Sequence, residues 1–147
     1  MKALFVTTIL MATLLAAGCS STQSMIGSGA DRSSATMFPL SAEQADRILA
    51  TAMAGEFAGS PVSRVEFPNK GYQATIRFML DSHTIIGYMI ATKGKATDGS
   101  LVDGFYFEVA NSGTMPLSGG NRAKKLFERL VRDASMIARP LPLSSPL

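Results

Sequence analysis

The sequence predicts an α+β fold: a two-layer sandwich in the order helix, four-stranded antiparallel meander, helix, with both helices on one sheet face. Three observations predict it. Apolar residues recur at helical spacing in two stretches that flank a central region. Within that region Tyr72 to Leu80 alternates, with Tyr72, Ala74, Ile76, Phe78 and Leu80 on one face and Gln73, Thr75, Arg77 and Met79 on the other. Pro68-Asn69-Lys70-Gly71, just before it, has the residues of a tight turn.

The first helix is expected to start at Ser41. Ser41 and Gln44 form a capping box, each able to satisfy a free backbone donor at the helix start. Glu43 and Asp46 suit the positive end of the dipole. Ala45, Ile48, Leu49, Ala52, Met53 and Phe57 fall on one stripe, and Gly55 and Gly59-Ser60-Pro61 mark the end.

Four strands are expected next, over Val62–Phe67, Tyr72–Leu80, Thr84–Thr92 and Gly104–Asn111, with a loose loop from Lys93 to Asp103. Hydrophobic pattern sets the second turn: a three-residue loop, Asp81-Ser82-His83, pairs Leu80 with Thr84, Phe78 with Ile86 and Ile76 with Tyr88. The last helix is expected over Arg122–Ala138, capped by Asn121 after the breaker Ser118-Gly119-Gly120 and stopped by Pro140. Its stripe is Ala123, Leu126, Phe127, Leu130, Val131, Ala134, Ile137 and Ala138. The core then combines Ile48, Leu49 and Met53 with Ile76, Phe78, Ile86, Tyr88, Phe105, Phe107, Val109, Leu126, Phe127 and Leu130. This element order is loosely similar to the cystatin-like arrangement, a likeness of topology alone that implies no function.

The chain start has its own pattern. Lys2 precedes the fifteen-residue, mostly apolar run Ala3–Ala17, and Leu15-Ala16-Ala17-Gly18-Cys19 ends that run on the only cysteine of the chain. The run is shorter than the roughly 20 residues needed to cross a bilayer, and Thr7, Thr8 and Thr13 dilute it. It resembles the signal and lipobox of bacterial lipoproteins. That resemblance implies cleavage after Gly18, acylation of Cys19 and a membrane partner held through the lipid anchor. Several acyl chains retain a protein firmly, because each buried methylene contributes about 0.8 kcal/mol. Ser20, rather than an aspartate, after the cysteine implies the outer membrane, with the domain facing the periplasm.

The resulting organisation is a signal peptide over 1–18, a lipidated tether over 19–37, one domain over 38–139 and a Pro-rich extended tail over 140–147. Ser, Thr, Gly and Ala dominate Ser20–Met37, and a flexible segment of that length spans roughly 23 Å, enough to hold the domain clear of the head groups.

Chemistry-bearing residues are sparse. One histidine and one cysteine exclude a histidine-based or cysteine-ligated metal site. Asp81, Ser82 and His83 are chain neighbours in a turn and cannot converge on one substrate atom. Asp98 and Asp103 are too few for a calcium loop, and Ser118–Asn121 lacks the lysine of a phosphate loop. No catalytic residue, metal or cofactor is therefore assigned, and nucleic acid is not an expected partner of an exported chain.

Two surfaces remain as binding candidates. The sheet face turned from the helices is expected to carry Met79, Ile85, Gly87, Met89, Ala91, Tyr106 and Ala110 beside Arg77 and Glu108. Of these, Met79, Ile85, Met89, Tyr106 and Arg77 are the partner-binding candidates, for an envelope protein or cell-wall material. The last helix places Lys124, Lys125, Arg129 and Arg132 where an anionic surface could meet them, although a solvated face of a surface helix is the more ordinary reading. The function expected is a lipid-anchored, non-catalytic binding or accessory module. The alternatives are a cell-wall- or lipid-acting enzyme using Glu108 and Asp103, and an inhibitor or immunity-type lipoprotein.

Overall fold

A computed structural model describes residues 22–27, 36–78, 81–113 and 116–144. The lipobox-like segment with Cys19, and Met79, lie outside them. The architecture is the α+β sandwich expected, enlarged at both chain ends. Strands β1 (Thr22–Gly27), β3 (Val62–Val65), β4 (Gly71–Phe78), β5 (Asp81–Lys95) and β6 (Leu101–Gly113) form one antiparallel sheet in the order β1-β6-β5-β4-β3. Helices α1 (Ala42–Glu56) and α2 (Pro116–Ile137) pack on one face of it, and β2 (Thr36–Met37) pairs with β7 (Leu141–Pro142).

Local signals account for α1. Ser41 Oγ accepts the Gln44 N–H at 3.2 Å, while Gln44 Oε1 accepts the Ser41 N–H at 2.9 Å. The apolar stripe is buried at every position from Ala45 to Met53, and Phe57 beyond it is buried too. Gly59, at φ +88°, turns the chain towards β3.

The β4–β5 turn corrects the sequence reading. Phe78 pairs with Asp81, Ile76 with His83 and Ala74 with Ile85, so the connection is the two residues 79–80 and not Asp81-Ser82-His83. His83 is a buried strand residue rather than an exposed turn residue. The new register reverses β5. Ile85 and Met89 face the helices and are buried in the core, while Ile86, Tyr88 and Ile90 take the other face. The physical cause lies at Gly87. A Cβ there would come within 2.7 Å of Leu49 Cδ1, with Met53 Sδ at 3.5 Å and Leu126 Cδ2 at 3.7 Å. Both helices thus close down on bare backbone, and a tyrosine or isoleucine in that phase would hold them off. On β4 and β6 the faces are as expected, with Ala74, Phe107 and Val109 in the core.

The loose loop between Lys93 and Asp103 is instead a tight hairpin. The Gly99 N–H donates to Ala96 O and the Ala96 N–H to Ser100 O, both at 2.9 Å. Gly99 supplies the positive φ, +85°, that this three-residue loop needs.

Helix α2 begins six residues before its expected start, so Ser118-Gly119-Gly120 lies within helical backbone and Asn121 is not its cap. Pro116 occupies the first helical position, where its missing N–H costs nothing. Packing against β1, β5 and β6 outweighs the weak helix propensity of the two glycines. Ala123, Leu126, Leu130 and Ala134 form the buried stripe, whereas Ile137, expected in it, is 54% exposed.

Both expected flexible ends are partly built into the fold. Thr22 pairs with Gly113 and Gly27 with Glu108, making an edge strand of residues expected as tether. Phe38 exchanges two backbone hydrogen bonds with Phe105, at 2.8 and 2.9 Å. On the opposite edge of the hairpin Leu143 bridges Gly94, and the Ser144 N–H donates to Lys93 O at 3.0 Å. With Met37 paired to Leu141, these contacts close a ring of strands β2-β6-β5-β7 around the base of the hairpin. Met37 is fully buried and lies against Gly94 and Gly104, where added side chains would meet it. Over its described residues, 140–144, the tail is extended and docked rather than free.

Candidate functional site

An open cleft of about 460 Å³ lies where the start of α1 meets the hairpin. Leu40, Ser41 and Ala42 form one wall, Ala91 to Lys93 of β5 and Asp103 to Phe105 of β6 the other. The small residues Ala42 and Ala91 leave the space, and buried Leu40 with half-buried Phe105 provides apolar lining.

Three polar groups of the cleft, those of Lys93, Asp103 and Ser41, are already engaged. Lys93 Nζ lies 3.2 Å from Asp103 Oδ1 in a well-exposed pair. The Ser41 hydroxyl is committed to the helix cap. This arrangement offers an apolar surface edged by one ion pair, suited to holding an apolar group.

The expected binding face is dispersed by the register. Ile85 is fully buried and Met89 nearly so, both beneath the helices, so neither belongs to a partner surface. Tyr106 keeps its expected face but is only 9% exposed, beside buried Tyr88 and Ala110. Of the described candidates only Arg77 is exposed. Burial pushes the Tyr88 hydroxyl above its ordinary pKa, and the carboxylate of Glu108, its cross-strand neighbour, adds to the shift.

The paired-carboxylate alternative meets a geometric obstacle. Asp103 and Glu108 are five residues apart on one strand, so their side chains leave opposite faces of the sheet. The Asp98 carboxylate accepts from the Ser100 N–H at 2.9 Å and the Ser100 hydroxyl at 2.6 Å, which lowers its pKa. Among the described residues no three His, Cys, Asp or Glu side chains gather as a metal site.

The basic helix is only partly free. Arg129 Nη1 contacts Glu56 of α1 at 3.2 Å and its Nε contacts Asp133 at 3.5 Å, so it braces helix to helix. A Cβ at Gly55 would overlap that guanidinium, and the glycine therefore makes the brace possible. Arg132 reaches Asp133 at 3.4 Å, and Lys124 lies 3.9 Å from Glu128. Arg122 and Lys125 are exposed.

Sequence reasoning missed the cleft because three separated segments build it, and small residues are its only local signal. The chain matches no family model, no curated protein and no solved structure.

Proposed function

We propose that this protein is a lipid-anchored accessory module of the bacterial cell envelope, acting by binding rather than catalysis. The observation that carries the reading is the apolar run ending in Leu15-Ala16-Ala17-Gly18-Cys19 on the sole cysteine. Ser20 favours the outer membrane. No described helix is long and apolar enough to cross a membrane. The cleft beside α1 replaces the sheet face as its partner-binding surface, because its lining is apolar and its single ion pair is already neutralised. An apolar side chain of an envelope protein fits that chemistry.

The test is the membrane fraction of cells making the full chain. Mass spectrometry should find an N-terminal acylated Cys19, and Cys19→Ala should leave the protein unprocessed and unacylated. Ala91→Arg, which fills the cleft with a charge, should reduce co-purification of partner proteins without lowering the thermal midpoint. An unmodified residue 19 in the mature protein defeats the anchor. Unchanged co-purification defeats the cleft.

A further inference from the structure

Strand β3 ends the five-stranded sheet, and among the described residues it pairs with β4 alone. Which of its backbone groups point outward follows from the register. The Met89 N–H donates to Lys70 O at 3.0 Å, so these two form a hydrogen-bonded pair just before β4. Such pairs recur at every second residue, at Tyr72 with Gly87 and at Ala74 with Ile85. The backbone groups of Gly71 and Gln73 therefore point the other way, at Val65 and Ser63 of β3. By the same alternation Val62 and Arg64 turn their N–H and C=O groups outward, and Glu66 is next in that phase.

The side chains leave this edge open. Ser63, Arg64, Glu66 and Phe67 are exposed, Phe67 at 86%. Helix α1 packs over β4 and β5, inboard of β3. Charges ordinarily blunt an edge strand against pairing. Here the edge carries one charge of each sign, two residues apart. Arg64 Nε lies 3.2 Å from Glu66 Oε1, so both side chains stand on one face, and each is more than half exposed.

An antiparallel copy of the same strand meets the outward groups in registers centred on Ser63, Arg64 or Val65. Centring on Arg64 sets two guanidinium groups face to face. Centring on Ser63 sets Arg64 against the partner's Val62 and gives Glu66 no opposite charge. Centring on Val65 sets Arg64 opposite the partner's Glu66, and symmetry repeats the pair. That register also brings exposed Phe67 opposite the partner's Ser63 and diagonal to the partner's Val65.

We propose that β3 is a self-association edge, at which two copies pair antiparallel about a two-fold axis through Val65 and join their sheets into one. The axis is normal to the sheet, so both helix layers stay on the same side. Backbone hydrogen bonds between Arg64 and the partner's Glu66 carry the contact, and their opposite charges set its register. A short edge buries little area, so association is weak in dilute solution. The contact uses neither Cys19 nor the cleft, and its failure leaves the proposed anchor and binding surface untouched.

Val65 is the residue that meets itself. Across a non-hydrogen-bonded pair the two Cα atoms lie about 4.5 Å apart, within the span of a disulfide. Ser63 lies about 13 Å along the strand from its own copy, outside that span. Val65→Cys and Ser63→Cys are made in the full chain, each with Cys19→Ala so that the new thiol stands alone. Copper–phenanthroline oxidation in mild detergent, read on a non-reducing gel, should give a reducible dimer severalfold more abundant for Val65→Cys. Adding Glu66→Arg sets like charges opposite each other and should lower that yield severalfold without moving the thermal midpoint. Equal yields at 65 and 63, no dimer at 65, or a yield indifferent to Glu66→Arg overturns the proposal. Should Val65→Cys fail to fold, sedimentation equilibrium of the Cys19→Ala chain takes its place. Dimerisation weakened severalfold by Glu66→Arg supports the edge; a monomer, or dimers indifferent to that change, overturn it.

Discussion

Strand β5 makes two glycine-centred contacts on opposite faces, and they are closed in different ways. At Gly87 two helices meet the strand through side-chain tips, Leu49 Cδ1 from α1 and Leu126 Cδ2 from α2. At Gly94, and at Gly104 on β6, the covering atoms belong to Met37, Leu141 and the backbone of Phe38, segments near the two ends of the domain. A helix contact can relax by rotating a leucine; a ring closed by backbone hydrogen bonds cannot. The helix side therefore carries the volume of the core, and the ring carries a close contact against unyielding backbone.

The largest effect is expected where most volume is lost. Leu126 is fully buried between α2 and the sheet, and Leu126→Ala removes side-chain contacts that both α1 and β5 share. A cost of about 3 kcal/mol is expected, the middle of the range for buried leucine truncations. Urea unfolding with an unchanged slope would show it as a lower midpoint. A loss below about 1 kcal/mol would mean that the helices do not close on Gly87.

The two glycine contacts can be set directly against each other. An added methyl at Gly104 overlaps the Phe38 carbonyl oxygen, so the Phe38–Phe105 bridge must part or the ring must shift. Gly104→Ala is expected to cost about 2 kcal/mol, as over-packing against an unyielding neighbour does. At Gly87 the nearest atom is the end of a leucine, 2.7 Å from the added carbon. Gly87→Ala should cost less, because Leu49 can move and alanine restricts the unfolded chain. Paired urea midpoints decide the order, and the reverse order would place the rigid contact on the helix side.

What was legible in the sequence follows the range of the forces involved. Helix α1 was readable to its cap because Ser41, Gln44 and the apolar stripe act within a few residues of each other. The α+β order was readable for the same reason. The phase of β5 was not, since Ile85 and Met89 compete with Ile86, Tyr88 and Ile90 for the same core. Only the convergence of two helices on Gly87 settles that contest, and this is a property of the assembled layers. Asp98-Gly99 did hold a local turn signal, which the surrounding polar residues disguised as a loose loop. Strand β1 had none: Thr22–Gly27 is extended because β6 offers it an edge. The candidate face failed with the β5 phase, and the cleft was invisible because no one segment contains it.

The smallest expected effect concerns the edge of the helix layer, where α1 meets β3 and β4. The Tyr72 hydroxyl donates to both carboxylate oxygens of Asp46 at 3.2 Å, and Arg64 lies 3.3 Å from Asp46 and 5.7 Å from the centre of the Tyr72 ring. Burial is the chief cause that raises the Tyr72 pKa above its ordinary value of 10.0, followed by the charge of Asp46 and the hydrogen bond to it. A folded-state pKa above the unfolded one means that the protonated phenol favours folding. Its contribution is complete below pH 10.0 and falls away as pH rises through the folded-state value. Tyr72→Phe should flatten the alkaline arm of the stability curve and lower the midpoint slightly at neutral pH. Urea midpoints measured on both sides of pH 10.0 test this. An alkaline decline just as steep in the variant would assign it to other groups, with burial-shifted Tyr88 on the opposite sheet face the next to substitute.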